Sequence, residues 1–390
     1  MEFKNLISKS KNTQQIISDL TQNPRDSYDL AILFFAQSAA EEIKTITEKL
    51  KNHYTIRNLI GCTSAGIIST QEEIENQPAV SLILAKLPGV NILPFTLNQV
   101  GLEGLKSKTD FYKFFEIFPT ENPVFLVLPD PFSINMNYFL DSVNSFFPQC
   151  PIIGGLASAA TQPNGNTLVL NGECIDAGMV GVVLTGNIKI ETIVSQGCRP
   201  IGETFIVTKS QDNIIFELAG RPFLNVLKEV FDKSTAREKL LVQESIFVGI
   251  AMNEYKDEFK RGDFLIRGLM GIDEKMGAGA IGDYIKAGQT IQFHVRDAET
   301  ATEDLNIMLE TNRKDNLKPK PTGALVFSCN GRGQYLFKQK NHDIDIIQKH
   351  IGPIPAAGFF CAGEIGPVGG SNFLHGFTDS IALFYPKTNS

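Results

Sequence analysis

Tryptophan is absent from this chain of 390 residues, and its 28 phenylalanines supply most of the aromatic volume. Cysteine is scarce: the six cysteines form no C-x-x-C pair, and the five histidines show no ligand spacing. The sequence therefore predicts no structural metal, no redox motif and no cofactor. We expect the cysteines to be free thiols.

Long apolar runs and an excess of basic charge are also missing. No window approaches the run of about 18 apolar residues that a membrane span requires. The first residues, Met1 to Asn5, lack the basic and then apolar layout of a secretory signal. The net charge of -7 argues against a nucleic-acid or anionic-membrane partner. Together these absences predict a cytoplasmic location.

The remaining composition is that of an ordinary globular protein, with 43% hydrophobic and 20% charged residues. Predicted strands and helices alternate over the first 170 residues and give way to a meander. This order predicts an α/β fold in which helices flank mixed β-sheets. The length allows two domains. We expect a boundary near residue 218, giving domains 1–218 and 219–390 that associate tightly.

Several local predictions depend on periodicity alone. The polar segment 1–26 is expected to be largely helical, and Ser38 is expected to cap a helix that runs to Lys51. Thr185-Gly-Asn187 predicts a hairpin between the apolar strands on either side. Tyr335 to Phe337 is predicted as a short strand.

Three glycine-rich segments each follow an apolar run, and we interpret them as one strand-to-turn unit used three times. Such turns expose backbone amides to which a ligand can approach closely. The segments are Asn58-Leu-Ile-Gly-Cys-Thr-Ser-Ala-Gly-Ile-Ile68, Pro151-Ile-Ile-Gly-Gly-Leu-Ala-Ser-Ala159 and Pro355-Ala-Ala-Gly-Phe-Phe-Cys-Ala-Gly-Glu-Ile-Gly-Pro-Val-Gly-Gly370.

The first of these segments allows two structural interpretations. If a helix begins near Ser64, the turn forms an anion site from its amides and the positive helix end, and the pKa of Cys62 is lowered. Otherwise it is a tight turn in which Thr63 or Ser64 caps a helix.

The third segment and the turn before it carry opposite charges. Arg332 lies between glycines after a predicted strand, and its guanidinium is suited to a carboxylate. Glu364 lies between Gly363 and Gly366 and could accept an ammonium group. These residues predict a pocket for a small ligand that carries both charges. Alternatively, Arg332 ties its turn to nearby carbonyls and Glu364 is a surface acid.

The chain resembles the FIST family, which is named for F-box and intracellular signal transduction. The resemblance rests on Gly61-Cys-Thr-Ser-Ala-Gly66, Gly262-Asp-Phe-Leu-Ile-Arg267, Gln292-Phe-His-Val-Arg-Asp297, Cys329-Asn-Gly-Arg-Gly333 and Gly363-Glu-Ile-Gly-Pro-Val-Gly369, in that order. It implies FIST N-terminal and C-terminal domains, a sensory role, and a small ligand such as an amino acid. Because the chain contains no recognisable output module, the signal would pass to a partner in trans.

The expected ligand-binding residues come from these motifs. Arg332 and turn amides would bind a carboxylate and Glu364 an ammonium group, while His375 matches a family position near the site. The full expected set is Gly61, Cys62, Thr63, Ser64, Cys329, Asn330, Gly331, Arg332, Cys361, Glu364 and His375.

Two other functions remain open at this stage. The chain could be a hydrolase or transferase that uses Cys62, Cys329 or Cys361, or the Glu364 and His375 region. It could also be a protein-interaction adaptor whose glycine turns are structural and which binds no small ligand.

Overall fold

The computed structural model describes residues 1–244, 246–256, 258–260, 262–313 and 319–387. The chain divides into two compact units. The first comprises Met1–Val194, Asn306–Leu374 and the segment from Thr378 onward, and the second comprises Ser195–Leu305 and His375–Phe377. The second unit is thus inserted into the sequence of the first. The domain boundary expected after residue 218 lies inside the second unit and stays a prediction about sequence domains.

The N-terminal part of the first unit alternates strands and helices. Its elements are β1 Glu2–Ser8, α1 Thr13–Leu20, β2 Ser27–Ala36, α2 Ile43–His53, β3 Thr55–Ser64, β4 Gly66–Ile68, β5 Glu73–Glu75, β6 Val80–Lys86, β7 Val90–Leu97, α3 Gln99–Gly104, α4 Lys108–Phe115, β8 Val124–Pro129, α5 Met136–Phe146, β9 Ile152–Gly155, β10 Leu168–Leu170, β11 Glu173–Ile175, β12 Met179–Gly186 and β13 Lys189–Ser195, with short 3₁₀ helices at Gln37–Ala39 and Pro119–Glu121.

The rest of the chain completes both units. Its elements are β14 Arg199–Gln211, β15 Ile214–Leu218, β16 Arg221–Pro222, α6 Phe223–Lys233, α7 Ala236–Glu244, β17 Ile246–Ala251, β18 Phe264–Asp273, β19 Ala278–Ile281, β20 Thr290–Val295, α8 Ala298–Arg313, β21 Gly323–Cys329, α9 Gly333–Phe337, α10 His342–Ile351, β22 Ala356–Cys361, β23 Glu364–Val368, β24 Ser371–His375 and β25 Asp379–Tyr385.

The first unit contains three six-stranded sheets that share one strand plan. Their orders are β1-β6-β2-β3-β10-β11, β7-β12-β8-β9-β23-β24 and β13-β25-β21-β22-β4-β5. In each sheet the central pair is parallel, and a helix connects its two strands. The chain thus builds the same β-α-β core three times, at β2-α2-β3, β8-α5-β9 and β21-α10-β22. The second unit follows β13, within the third repeat.

The three repeats exchange hairpins in a cycle. After β3 the chain crosses to the third sheet, where β4 pairs with β22. After β22 it crosses to the second sheet, where β23 pairs with β9. After β9 it reaches the first sheet, where β10 pairs with β3. Each sheet is therefore completed by strands from another repeat.

Each of the three glycine-rich segments contains one glycine at a structurally equivalent position. Gly61 pairs with Leu33, Gly154 with Val127, and Gly358 with Val326, each across the parallel pair. At all three positions a Cβ atom would run into the carbonyl oxygen of that partner. Glycine is needed here because two backbones approach closely. The expected reuse of one structural unit is confirmed.

A second set of contacts obeys the same symmetry. The amide two residues before each equivalent glycine donates to a side-chain oxygen of the crossing hairpin. Leu59 N donates to Asn171 Oδ1 over 2.8 Å, Ile152 N to Asn372 Oδ1 over 2.7 Å, and Ala356 N to Thr70 Oγ1 over 3.0 Å. The repeats thus match in hydrogen bonding as well as in strand order.

One hydrophobic core joins the three sheets. It contains Phe34 and Ile60 of the first sheet, Leu126 of the second, and Phe327 and Phe359 of the third. The outer faces of the first two sheets pack against helices in separate clusters, with α1 and α2 on one and α4 and α5 on the other. Sheets that are covered on both faces explain the long apolar runs of β2, β8 and β21.

The second unit is an antiparallel ring. Its strands follow the order β14-β20-β17-β18-β19-β15, and β15 pairs again with β14. Helix α6 contributes Phe223, Val226 and Val230 to the core of this unit, where Phe223 packs on Phe293.

The structure corrects several local predictions. Segment 1–26 begins with strand β1, which pairs along its length with β6. The strands around Thr185-Gly-Asn187 enter different sheets, because β12 pairs with β7 and β8 while β13 joins β25. Residues 335–337 belong to helix α9, and α2 begins at Ile43 without a side-chain cap from Ser38.

None of the helices in the described residues combines the length and the apolar character needed to cross a membrane.

Candidate functional site

The carboxyl ends of the three parallel pairs meet in the first unit. Ser158 lies at the meeting point: its amide donates to Thr63 O over 3.3 Å, and its hydroxyl donates to Phe360 O and accepts from Ala65 N. Ala362 N donates to Leu156 O over 3.1 Å. Ligands of α/β proteins commonly bind outside the carboxyl ends of parallel strands. This end of the unit is therefore the candidate functional site.

The Gly61–Ser64 motif lies at this end, but it does not form a turn before a helix. Strand β3 continues through Ser64, and β4 follows immediately. The prediction of a helix N-terminus near Ser64 is wrong, and so is the lowered pKa of Cys62. The Cys62 thiol is fully buried in the central core, and burial raises its pKa well above the usual range.

Thr63 belongs to a buried polar network that joins the first two repeats. Its hydroxyl lies 3.2 Å from Asn166 Oδ1, and Asn166 Nδ2 donates to Asp130 Oδ1 over 2.9 Å. Asp130 also accepts from the Ser133 hydroxyl over 2.6 Å. Asp130 directly follows β8, so this network also lies at the carboxyl ends of the strands.

Arg332 is fully buried and is held by an acid in α10. Its Nε and Nη2 atoms donate to the two oxygens of Asp343 over 2.7 and 2.8 Å. The Ser328 hydroxyl and His342 Nδ1 also contact that carboxylate, at 3.2 and 2.8 Å. The Phe337 ring lies against both the guanidinium and the His342 ring. Two of the five guanidinium donors are thus already used within the protein.

The ion pair shifts both pKa values in the directions that favour the charged forms. Burial alone would raise the pKa of the Asp343 carboxyl, but the charge and hydrogen bonds of Arg332 outweigh burial and hold it far below its usual range. Burial would likewise lower the pKa of Arg332, and Asp343 raises it instead. Both groups therefore stay charged near neutral pH.

Three more acids lie around this pair. Glu73 accepts from Ile344 N over 2.8 Å, and Glu364 accepts from Thr378 N over 3.1 Å. Burial, and next the charge of Asp343, raise the pKa of both Glu73 and Asp379 well above the usual range. Arg332, Asp343, Asp379 and Glu364 are all fully or almost fully buried. We name the group formed by Glu73, Ser328, Arg332, Asp343, Glu364 and Asp379 the acidic cluster.

The remaining expected residues differ in exposure. Asn330 is exposed, Cys329 and Gly331 are half-buried, and Cys361 is fully buried. Asn330 N donates to Cys361 O over 3.0 Å, which joins the ends of β21 and β22. Burial raises the pKa of Cys361, with a further contribution from the charge of Glu364. Of the three candidate nucleophiles, only Cys329 is partly accessible.

Two histidines of the sequence motifs belong to the second unit. His375 ends β24, is buried, and is counted with the second unit. His294, which lies in the family-like motif of β20, is buried in the second unit against Phe264. Burial lowers the pKa of His294 to about 4, although a hydrogen bond with Gln292 O opposes the shift.

The expected set omits four of the six members of the acidic cluster. Glu73, Asp343 and Asp379 lie on elements other than the turn that holds Arg332, and Ser328 directly precedes the first expected residue of that turn, Cys329. A usable signal existed for Asp379, which is a charged residue at the head of the apolar run Ile381–Tyr385. An alignment of the three repeats would have exposed it.

The acids were also considered as metal ligands. Within the part of the chain that the structure describes, no group of three or more His, Cys, Asp or Glu side chains could hold a metal ion.

Comparison with known proteins covers nearly the whole chain. Residues 29–221 match the FIST N domain, and residues 224–367 match the FIST C domain. The uncharacterized protein Rv0628c of Mycobacterium tuberculosis is 38% identical over 355 residues, covering 91% of both chains. The uncharacterized protein Mb0898c of Mycobacterium bovis is 36% identical over 355 residues, covering 91% of this chain and 90% of its own.

Proposed function

Because this chain belongs to the FIST family, whose domains are sensory domains of signal transduction, we propose that it senses a small polar ligand, amino acid-like in character. The ligand would bind at the carboxyl ends of the three parallel pairs, and the signal would pass in trans to a partner protein inside the cell. One observation carries this proposal. The three repeats bring Thr63, Asn330 and Glu364, which are far apart in sequence, to one end of the first unit.

In this proposal Arg332 has a different role from the one expected from the sequence. Two of its donors are bound to Asp343, so its guanidinium is not an open fork for a ligand carboxylate. In our proposal, Asn330 and the backbone amides at the strand ends contact the ligand first. Arg332 supports the site indirectly, because it holds Asp343 and so keeps the acidic cluster in place.

The test is a thermal-shift screen against amino acids, small carboxylates and amines. A ligand at one hundred times its dissociation constant stabilises the folded state by about 2.7 kcal/mol, which raises the melting midpoint by a few degrees. The shift should shrink in Asn330→Ala, which truncates an exposed side chain at the site. Asn91→Ala is the matched control, because Asn91 is exposed in β7 and pairs with Thr185 near the amino end of β8.

A response that both variants retain in full would place the ligand elsewhere. Silence across the whole panel, combined with a protein recovered by pull-down, would support the adaptor function instead. Turnover of a panel compound that is lost in Cys329→Ala would support an enzyme.

A further inference from the structure

The third repeat departs from the other two at one buried position. Across the equivalent strand pairs, Ser328 faces Asp379, whereas Phe35 faces Val80 and Pro129 faces Met179. The repeats agree in strand order, in their equivalent glycines and in hairpin hydrogen bonds. An ionisable residue in only one of three equivalent interior positions is not required by the architecture.

The polar atoms at this position are also incompletely paired. Among the described residues, neither carboxylate oxygen of Asp379 has a hydrogen-bond partner, and the same holds for Glu73 Oε2 and Arg332 Nη1. All three side chains are at least nine-tenths buried. A buried polar atom without a partner is costly. Such groups need an explanation, and a bound ligand that supplies the missing partners is one.

Charge favours a cation as that ligand. The acidic cluster contains four carboxyl groups and one guanidinium, and the guanidinium is bound to Asp343. Asp379 and Glu73 interact electrostatically with each other and with Asp343. Their three unpaired oxygens equal in number the three N–H donors of a primary ammonium group.

A divalent metal ion fits less well than an ammonium group. In the described ranges these acids do not form a group that could hold a metal ion. The chain reaches the surface within two residues of the cluster. Ser328 is buried, Cys329 is half-buried and Asn330 is exposed. A small ligand could therefore place its amino group in the cluster and its remainder at Asn330.

We propose that the acidic cluster, with Asp379 at its centre, binds the protonated amino group of a small primary amine. This inference rests on the proposed sensor function and narrows its ligand class. It also replaces Glu364 with Asp379 as the main partner of the ammonium group.

The experiment is calorimetric titration of the full chain with ethanolamine and 1,4-diaminobutane. Ethylene glycol and 1,4-butanediol are their uncharged counterparts, and succinate is an anionic comparison. We expect binding by the amines alone, with the dissociation constant raised at least tenfold in Asp379→Asn. Asp29→Asn is the matched control, because Asp29 lies near the amino end of β2 and is paired with Arg57 and Leu87 N. It should bind the amines as the wild type does.

A structural role for Asp379 predicts a different pattern, in which Asp379→Asn lowers the melting midpoint. A ligand role predicts a midpoint as high as that of the wild type or higher, because an unpaired buried acid is removed. If Asp379→Asn does not fold, Asp379→Val replaces it, since valine occupies the equivalent position 80 of the first repeat.

The outcomes separate this inference from the proposed function. Equal amine affinity in the wild type and in the Asp379 variants would overturn the inference. Binding of succinate or of an uncharged analogue, without the amines, would overturn it and leave the sensor function intact. If no compound of the wider thermal-shift panel binds, the sensor function itself fails.

Discussion

At the scale of single residues, the buried pair of Arg332 and Asp343 is the most sensitive to substitution. Replacing Arg332 with methionine leaves the Asp343 charge buried without its partner, and breaking such pairs typically costs about 3–5 kcal/mol. We expect Arg332→Met to lower the free energy of unfolding by that amount in urea denaturation.

The matching double variant, Arg332→Met with Asp343→Leu, should cost clearly less than the two single variants added together. It removes both charges, so no unpaired ion remains in the interior. Additive losses would show that the two side chains act independently, contrary to the geometry.

His294 makes a prediction about pH. Its pKa falls from 6.5 in the unfolded chain to about 4 in the folded protein, so the unfolded state takes up the proton first as pH falls. The contribution of neutral His294 to the free energy of unfolding is fully present above pH 6.5. It is lost as the pH falls from 6.5 to about 4. The loss is on the order of 3 kcal/mol.

The comparison variant for this effect is His294→Gln, which cannot be protonated. Urea denaturation at several pH values should show the stability of the wild type falling relative to that of the variant as the solution is acidified. A constant difference between pH 7 and pH 4 would mean that His294 is not buried as described.

At the scale of elements, the three equivalent glycines are positions at which the sheets do not tolerate a side chain. A methyl group at Gly358 would overlap the carbonyl of Val326, which belongs to a packed parallel strand and cannot move aside cheaply. We expect Gly358→Ala to cost several kcal/mol or to prevent folding, as overpacking against backbone does. Thermal denaturation followed by circular dichroism measures the effect.

Gly104→Ala is the control for this prediction. A Cβ at Gly104 meets nothing within 4 Å, and the residue lies in helix α3, where alanine is favoured. Its melting midpoint should equal or slightly exceed that of the wild type. A well-folded Gly358→Ala protein would contradict the close approach of the two strands.

The same scale shows how much the sequence could predict. Strands β2, β8 and β21 and helices α5, α6 and α10 carry strong apolar patterns, and patterns of this kind locate an element from its local sequence alone. Strand β1 is polar and is a strand only because it pairs with β6, and that partner is distant in sequence. Pairing of this kind leaves no local pattern.

The candidate site was predictable to a similar degree. Glycine motifs at the ends of apolar runs indicate the carboxyl ends of the strands, where the candidate site lies, because strand ends and their glycines are local features. The acidic cluster was not predictable in this way, since Glu73 reaches Arg332 only through the exchanged hairpin of β4 and β5. The prediction for Cys62 is wrong for a different reason. Its local sequence is typical of a turn, but strand pairing places the residue inside β3.

At the scale of the whole molecule, hairpin exchange makes the family's two sequence domains depend on each other. A fragment of residues 1–218 would contain β4 and β9 without their partners β22 and β23. It would also lack Phe327 and Phe359 from the central core. We expect this fragment to aggregate or to remain unfolded when it is produced alone.

Co-production with residues 219–390 should restore a soluble complex, which size-exclusion chromatography and circular dichroism would detect. A monomeric 1–218 fragment with a cooperative melting transition would disprove this dependence.

The cyclic exchange also bears on how the protein is made. Strand β2 leaves the ribosome early, but β25, which completes the third sheet, is among the last elements to be synthesised. At about 5–20 residues per second, roughly 20 to 70 seconds pass between the synthesis of β2 and that of β25, and until then the first sheet lacks the third sheet in their common core. During that time the nascent chain exposes apolar strand faces that the finished protein conceals. Its biogenesis should therefore depend on chaperones that shield the growing chain until translation ends.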